Sequence, residues 1–147
     1  MSAKIDSFRG EYAFLSNFFP CYVRYEGLEY PTVEHAFQAA KTLDITQRQC
    51  FQVCRSPADA KHLGRKVKLR EDWEQIKIEV MRQLVRDKFT RNMSTVDIKK
   101  LLLDTGDAYL EEGNNHKDRF WGTVNGQGQN WLGKILMEIR EELKKSV

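Results

Sequence analysis

Cysteine, proline and histidine are scarce in this 147-residue chain, which contains three of each. Three cysteines cannot form a dense disulfide framework, and their spacing relative to the histidines matches no familiar tetrahedral zinc site. No apolar run is long enough to span a bilayer, and the first eight residues lack the apolar stretch of a signal peptide. We therefore expect a cytoplasmic protein without a metal site or a membrane anchor.

A strong excess of one charge is also missing. Twenty-four Lys and Arg stand against 21 Asp and Glu, so the formal net charge is +3. This mild excess suits a phosphate-bearing ligand without requiring one. Hydrophobic residues make up 41% of the chain and aromatic residues 11%, which supports a packed core. The length and the lack of repeats or linkers predict one domain over residues 1–147.

Hydrophobic periodicity and turn residues predict a mostly helical α+β domain with a few short strands. A hairpin is expected where Cys21–Tyr25 and Leu28–Tyr30 flank the Glu26-Gly27 pair. Helices are predicted over residues 33–43, 47–54, 57–63, 71–91, 96–103 and 131–145, a strand over 108–111, and a loop over 113–129. Gly64 is expected to act as the C-cap of the third helix, and the fourth helix carries an apolar stripe between Ile76 and Phe89. The last helix is expected to face inward with Leu132, Ile135, Leu136, Ile139 and Leu143.

The first of these helices carries polar residues in a suggestive pattern. At about 100° per residue, Glu34, Gln38 and Lys41 lie within roughly 60° of one another, while Phe37 and Leu43 face the opposite, core side. One interpretation is a solvated helix face with an intrahelical hydrogen-bond network. The other is a cleft wall, where Glu34 stabilises positive charge or orients water and Lys41 acts as a nucleophile or a phosphate clamp.

The glycine-rich loop before the last helix is the second candidate region. Glycines there allow close backbone approach, Trp121 offers a stacking face for a base, and the helix start at Asn130-Trp131 presents free N–H groups to an anion. An ordinary loop in which Trp121 anchors packing is the alternative. Residues 128–134 spell G-x-x-x-x-G-K, but Ile135 lacks the hydroxyl that a phosphate-binding loop needs and no hydrophobic strand precedes it.

Several long motifs resemble the NADAR family, which includes the bacterial YbiA-like proteins. They are FLSNFFP at residues 14–20, YPTVEHAFQAAK at 30–41, DRFWG at 118–122 and GQNWLGKILM at 128–137. The similarity runs from about Phe8 to Leu143. No motif position is missing, so nothing in the sequence indicates an inactive member.

This resemblance implies a mostly helical α+β fold and hydrolysis of an N-glycosidic bond by water, without a metal or a cofactor. The substrate expected first is ADP-ribose attached to guanine in nucleic acid. The alternative is a phosphoribosylamino-pyrimidine intermediate of riboflavin biosynthesis. A second alternative is a non-catalytic module that binds ADP-ribose or NAD. The sequence predicts neither an oligomeric state nor a protein partner.

The resemblance also implies the functional residues. Glu34 stabilises charge at the anomeric carbon, Asp118 supplies a proton to the leaving nitrogen, and Lys41, with Lys61 as second choice, captures an opened sugar as an imine. The expected substrate-binding residues are Asn17, Phe18, Phe19, His35, Gln38, Lys61, Arg65, Trp73, Trp121, Gly122 and Asn130. We expect the helix residues and the Trp121 loop to line one cavity.

Overall fold

The computed structural model describes residues 3–146 and confirms the predicted α+β fold class. In chain order the elements are β1 (Lys4–Ile5), a 3₁₀ helix (Gly10–Leu15), β2 (Val23–Tyr25), β3 (Leu28–Tyr30), α1 (Val33–Ala39), α2 (Ile45–Gln52), α3 (Pro57–Gly64), α4 (Trp73–Arg91), α5 (Ile98–Asp104), β4 (Tyr109–Leu110) and α6 (Trp131–Lys145). They belong to two compact units. One is Asn17–Val96, and the other combines the described residues up to Ser16 with those from Asp97 onward.

The Asn17–Val96 unit is built around α1, which contacts α2, α3, α4 and both strands of the hairpin. The predicted hairpin is confirmed: β2 and β3 pair antiparallel with Val23 opposite Tyr30, and Glu26 and Gly27 form the turn with positive φ. Most of the apolar stripe predicted on α4 is buried in this unit, from Val80 to Phe89. Because α1 is enclosed on several sides, even its polar residues are buried.

Helix α1 is shorter than predicted. It ends at Ala39 rather than Leu43, because the amides of Lys41 and Thr42 bond to carbonyls three residues back, which tightens the chain into a turn. Asp44 then caps α2, which begins two residues before the predicted start. The placement of Leu43 on the core side was therefore wrong, since its side chain is exposed.

The other unit joins the two ends of the described chain. β1 pairs in parallel with β4, with Ile5 opposite Leu110. β4 lies within the strand predicted over residues 108–111, whereas β1 was not predicted, because two residues are too few to show an alternating pattern. Helix α6 has the predicted bounds and packs on β4 and α5. Its predicted inward residues, Leu132, Ile135, Leu136, Ile139 and Leu143, are all buried.

Two other helix starts differ from the prediction. Helix α4 begins at Trp73 instead of Glu71, since Arg70 and Asp72 form an ion pair in the preceding turn. Helix α5 begins at Ile98, because the Asp97 side chain accepts the amide of Lys100 as an N-cap and leaves Val96 exposed outside the helix. None of the helices within residues 3–146 is both long and apolar enough to cross a bilayer.

Candidate active site

Glu34 and Gln38 form a buried polar pair on α1. The Glu34 side chain is 8% exposed and Gln38 5%, and the Gln38 amide donates to Glu34 Oε2 over 2.6 Å. Burial of a carboxylate costs free energy unless hydrogen bonds and charged partners compensate for the lost hydration. This pair is therefore no solvated helix face, and its cost is typical of a group retained for chemistry.

The start of α1 is held from two directions. Thr32 caps the helix by accepting the amide of His35, and the amide of Glu34 donates to the carbonyl of Asn17 over 3.1 Å. The Asn17 side-chain amide reaches the Met81 sulfur, and its buried Oδ1 has no hydrogen-bond partner within residues 3–146. The FLSNFFP segment thus brings Asn17 directly beside Glu34, whereas the next residue, Phe18, is exposed.

His35 faces the interior of the unit. Its Nδ1 lies 2.7 Å from the Thr32 hydroxyl and its Nε2 lies 3.1 Å from the Cys54 carbonyl. A carbonyl only accepts, so Nε2 carries the proton and Nδ1 accepts from Thr32. Burial lowers the pKa of His35 and favours this neutral form, although the Cys54 carbonyl and Asp59 act in the opposite direction.

Lys41 lies in the turn just after α1 and is half-buried. Burial lowers its pKa; Glu34 acts against this, whereas Lys61, Arg65 and Lys77 lower it further. The backbone carbonyl of Lys41 accepts the amide of Arg70 over 2.8 Å, which fixes the turn. The structure therefore brings Glu34 and Lys41 within electrostatic reach of each other, as the sequence predicts, although Lys41 is not part of the helix.

Helix α3 carries cations near Glu34 and Lys41. Gly64 lies so close to the Gln38 side chain that a β-carbon there would collide with it. Lys61 and Arg65 flank Gly64 on α3 and its C-terminal cap, and both act on the charge of Lys41. Gly64 was predicted as the C-cap of this helix, but it is the last residue of α3, where it contacts α1, and Arg65 is the cap.

Trp73 opens α4 and packs against α1. Its ring lies 5.1 Å from that of Phe37 at a tilt of 55°, and it is 5% exposed. Phe19 also lies near α4, with the Lys88 ammonium 6.0 Å from its ring. These aromatic contacts place Phe19 beside α4 and Trp73 at the contact between α4 and α1.

The remaining predicted residues lie in the loop that precedes α6. Asp118 Oδ1 accepts the amides of Phe120 and Trp121, at 3.1 and 2.9 Å, so this carboxylate shapes the backbone that carries the tryptophan. Asn114 supports Asp118 in turn, through bonds to both its amide and its carbonyl. The Phe120 ring meets the Trp121 ring edge to face, with 4.8 Å between their centroids.

Gly122 and Asn130 hold this loop against the chain segment that contains Leu110 and Glu112. A β-carbon on Gly122 would collide with the carboxylate and carbonyl of Glu112, which explains the glycine. Asn130 is 2% exposed, and its side chain bonds the carbonyl of Leu110 and the amide of Glu112, both at 2.9 Å. Both polar groups of Asn130 are therefore engaged within the protein.

These motifs recur in a known family. A model described as the NADAR domain matches residues 6–144, and so spans both units. The chain belongs to the NADAR family. It is 41% identical over 137 residues to a riboflavin biosynthesis protein of Vibrio vulnificus, covering 91% of this chain but 36% of that protein. It is 40% identical over 136 residues to the N-glycosidase YbiA of Shigella boydii, covering 90% and 82%.

A solved NADAR structure agrees with the fold. The NMR structure of Escherichia coli YbiA matches with a TM-score of 0.83 at 37% identity, over 99% of this chain and 88% of that one. The predicted family and fold class are thus confirmed. The predicted enzyme class, a hydrolase of N-glycosidic bonds, is confirmed at this level by the relatives' names.

Two lysines of α4 are not among the predicted site residues. Lys77 on α4 acts on Lys41 and pairs with Glu74 at 2.8 Å. Lys88 is 1% exposed, and burial lowers its pKa to about 7. Lys88 lies between Val85 and Phe89 in the apolar stripe of α4. This position is the feature of the sequence that indicates a buried side chain.

The predicted residues therefore gather in two groups. The Asn17–Val96 unit holds Glu34, Lys41 and the cations of α3, and the other unit holds Asp118, Trp121, Gly122 and Asn130. A single cavity lined by both groups stays a prediction. No cluster of three or more His, Cys, Asp or Glu suited to a metal ion occurs within residues 3–146.

Proposed function

We propose that this NADAR domain hydrolyses the bond between ribose and nitrogen in a phosphoribosylamino-pyrimidine. The observation that carries the proposal is the buried Glu34–Gln38 pair with Lys41 and the α3 cations beside it. A buried carboxylate suits a positively charged sugar, and the cations suit a phosphate. The names of relatives in riboflavin biosynthesis support this choice of substrate.

The reaction is a substitution at the anomeric carbon. The carbon–nitrogen bond breaks, its electron pair leaves with the nitrogen, and positive charge develops on the sugar ring. The Glu34 carboxylate stabilises that charge and orients the attacking water, while the Gln38 amide holds the carboxylate in place. Water supplies the new oxygen and loses a proton, and the departing nitrogen gains one.

Two further roles follow from the family resemblance. We assign Asp118 as proton donor to the leaving nitrogen and Trp121 as a stacking surface for the base. A half-buried lysine whose pKa is lowered keeps a larger neutral fraction, so Lys41 is suited to capture an open-chain sugar as an imine. His35 and Asn130 have their side-chain polar groups engaged within the protein, which favours positioning roles.

ADP-ribosylated guanine in nucleic acid is the second candidate substrate. Lys66 and Lys68 favour it, because these exposed residues continue the positive charge of Arg65 along the chain. A nucleic acid would gain from such a run through its phosphates. Both candidates share the bond that breaks and differ in what flanks it.

One assay separates the candidates. The chain is incubated in parallel with a phosphoribosylamino-pyrimidine and with ADP-ribosylated guanine DNA, and the products are identified by mass spectrometry. We expect ribose 5-phosphate and free pyrimidine from the first at a kcat/KM at least tenfold above that for the second. Faster release of ADP-ribose would favour the nucleic-acid substrate, and tight binding without any product would favour a binding module.

A single substitution tests whether the activity depends on Glu34 of α1. Glu34→Gln keeps the side-chain shape and should lower kcat by a factor of about 100 to 1,000, the range for loss of one electrostatic stabiliser. Exposed Glu141 on α6 provides the control, because Glu141→Gln removes the same charge from a helix surface. An unchanged kcat in Glu34→Gln, with the melting temperature preserved, would remove Glu34 from the mechanism.

A further inference from the structure

Lys77 occupies a position on α4 that faces α1. It lies one helical turn after Trp73, and residues four apart share a helix face. Since the Trp73 ring packs on Phe37 of α1, this face of α4 is the one that meets α1. Lys77 is only partly exposed there, with 19% of its side chain accessible.

Cations from three parts of the unit lie within electrostatic reach of Lys41. Lys41 follows α1, Lys61 and Arg65 flank the glycine that touches Gln38, and Lys77 arrives from α4. The charges of Lys61, Arg65 and Lys77 all act on Lys41, and such an effect requires short separations. We call these four residues the cation cluster.

The cation cluster has few acids to balance it. Two acids act on its four cations: Glu34 acts on Lys41 from α1, and Glu74 pairs with Lys77 from a largely exposed position. Within residues 3–146, the side chains of Lys41, Lys61 and Arg65 form no hydrogen bond or salt bridge. Like charges brought together at a partly buried place repel one another, so an anion bound among them would stabilise the arrangement.

We propose that Lys77, with Lys61 and Arg65, binds the terminal phosphate of the substrate and makes this domain selective for a phosphomonoester. A phosphomonoester carries a charge near −2 at neutral pH and three oxygens at one end, so it can accept from several converging donors. A diphosphate bridge has its charge divided between two phosphorus centres and has no such end. The inference rests on the proposed function and names the substrate feature that Lys77 recognises.

The test compares two substrates that differ only in this group. A phosphoribosylamino-pyrimidine and its 5′-hydroxyl counterpart are assayed with the unchanged chain, Lys77→Met, Lys77→Arg and the control Lys100→Met. Lys100 is also a helical lysine paired with an acid of its own helix, Asp104, but it lies on α5. The quantity compared is the ratio of kcat/KM for the phosphorylated substrate to kcat/KM for the 5′-hydroxyl substrate. A loss of folded enzyme lowers both values by the same factor and leaves this ratio unchanged.

We expect this ratio to fall about 10-fold to 100-fold in Lys77→Met, the range for one charged hydrogen bond, and to stay within threefold of its original value in Lys77→Arg and Lys100→Met. Inorganic phosphate should inhibit the unchanged chain competitively and Lys77→Met more weakly. An equal loss on both substrates, or an unchanged ratio, would overturn the inference while the proposed function stands. Hydrolysis of neither pyrimidine would overturn both.

Discussion

At the scale of single residues, Lys41 combines a nucleophilic atom with an environment that disfavours its charge. Burial lowers its pKa, and the neighbouring cations lower it further against the opposing effect of Glu34. Only the neutral amine attacks an aldehyde, so imine formation at Lys41 should rise with pH and reach its midpoint below the ordinary lysine value of about 10.4.

Reductive trapping measures this directly. Ribose 5-phosphate, whose open-chain form is an aldehyde, is added with cyanoborohydride, and modified peptides are mapped by mass spectrometry from pH 6 to 10. We expect the Lys41 peptide to be labelled at least tenfold faster than that of exposed Lys66 at pH 8. Labelling that follows exposure alone, with Lys66 ahead of Lys41, would contradict an imine role.

Lys88 is a second lysine whose surroundings disfavour its charge, because its amino group is buried against aromatic rings. Its Nζ lies 5.1 Å from the centroid of Phe89, and burial lowers the pKa to about 7. The unfolded chain binds this proton up to about pH 10.4, so between pH 7 and 10 the unfolded state holds more protons than the folded one. Stability therefore rises with pH across that window, and below pH 7 the full cost of the buried charge remains.

Chemical denaturation at several pH values tests this linkage. The free energy of unfolding of the unchanged chain, minus that of Lys88→Met, should increase steadily from pH 7 to 10. Lys145→Met removes one positive charge from an exposed position and provides the control. A difference that is constant over the window would show that Lys88 keeps an ordinary pKa in the folded protein.

At the scale of elements, the contact between α3 and α1 links backbone packing to the buried carboxylate. Gly64 leaves room for the Gln38 side chain, and Gln38 holds Glu34. Gly64→Ala should displace Gln38, destabilise the protein by about 1–3 kcal/mol through overpacking and lower kcat. Thermal melting and kinetics on the same samples measure both effects.

A second variant tests the assigned cause. Gln38→Ala removes the side chain with which the new methyl group collides, so Gly64→Ala combined with Gln38→Ala should cost less than the sum of the single changes. Strict additivity of the two changes would place the strain elsewhere.

The sequence predicts some helices more accurately than others. Helix α6 was predicted residue for residue because its apolar positions keep the helical period throughout. Helix α1 was overextended, since nothing local to Leu43 discloses that Thr42 and Asp44 turn the chain toward α2. The spacing of Glu34, Gln38 and Lys41 predicts them as site residues, but nothing in the sequence predicts Lys77, because its approach to α1 depends on how α4 packs.

At the scale of the whole molecule, the path of the chain supports the prediction of a single cooperative domain. The unit containing α6 consists of both ends of the described chain, and its parallel β1–β4 pair joins Ile5 to Leu110. Those strands meet only when the intervening Asn17–Val96 segment brings its ends together. A folded segment closes that loop at a smaller entropic cost than an unfolded one, so the order of one unit favours the order of the other.

We therefore expect both units to unfold in one transition. Tryptophan fluorescence reports on each of them, because Trp73 belongs to Asn17–Val96 whereas Trp121 and Trp131 belong to the other unit. Thermal melts of Trp73→Phe and of Trp121→Phe with Trp131→Phe, each followed by fluorescence and by far-ultraviolet circular dichroism, should give coincident midpoints within each protein. Two midpoints separated by more than about 5 °C would mean that the units unfold independently, and the prediction of one cooperative domain would be wrong.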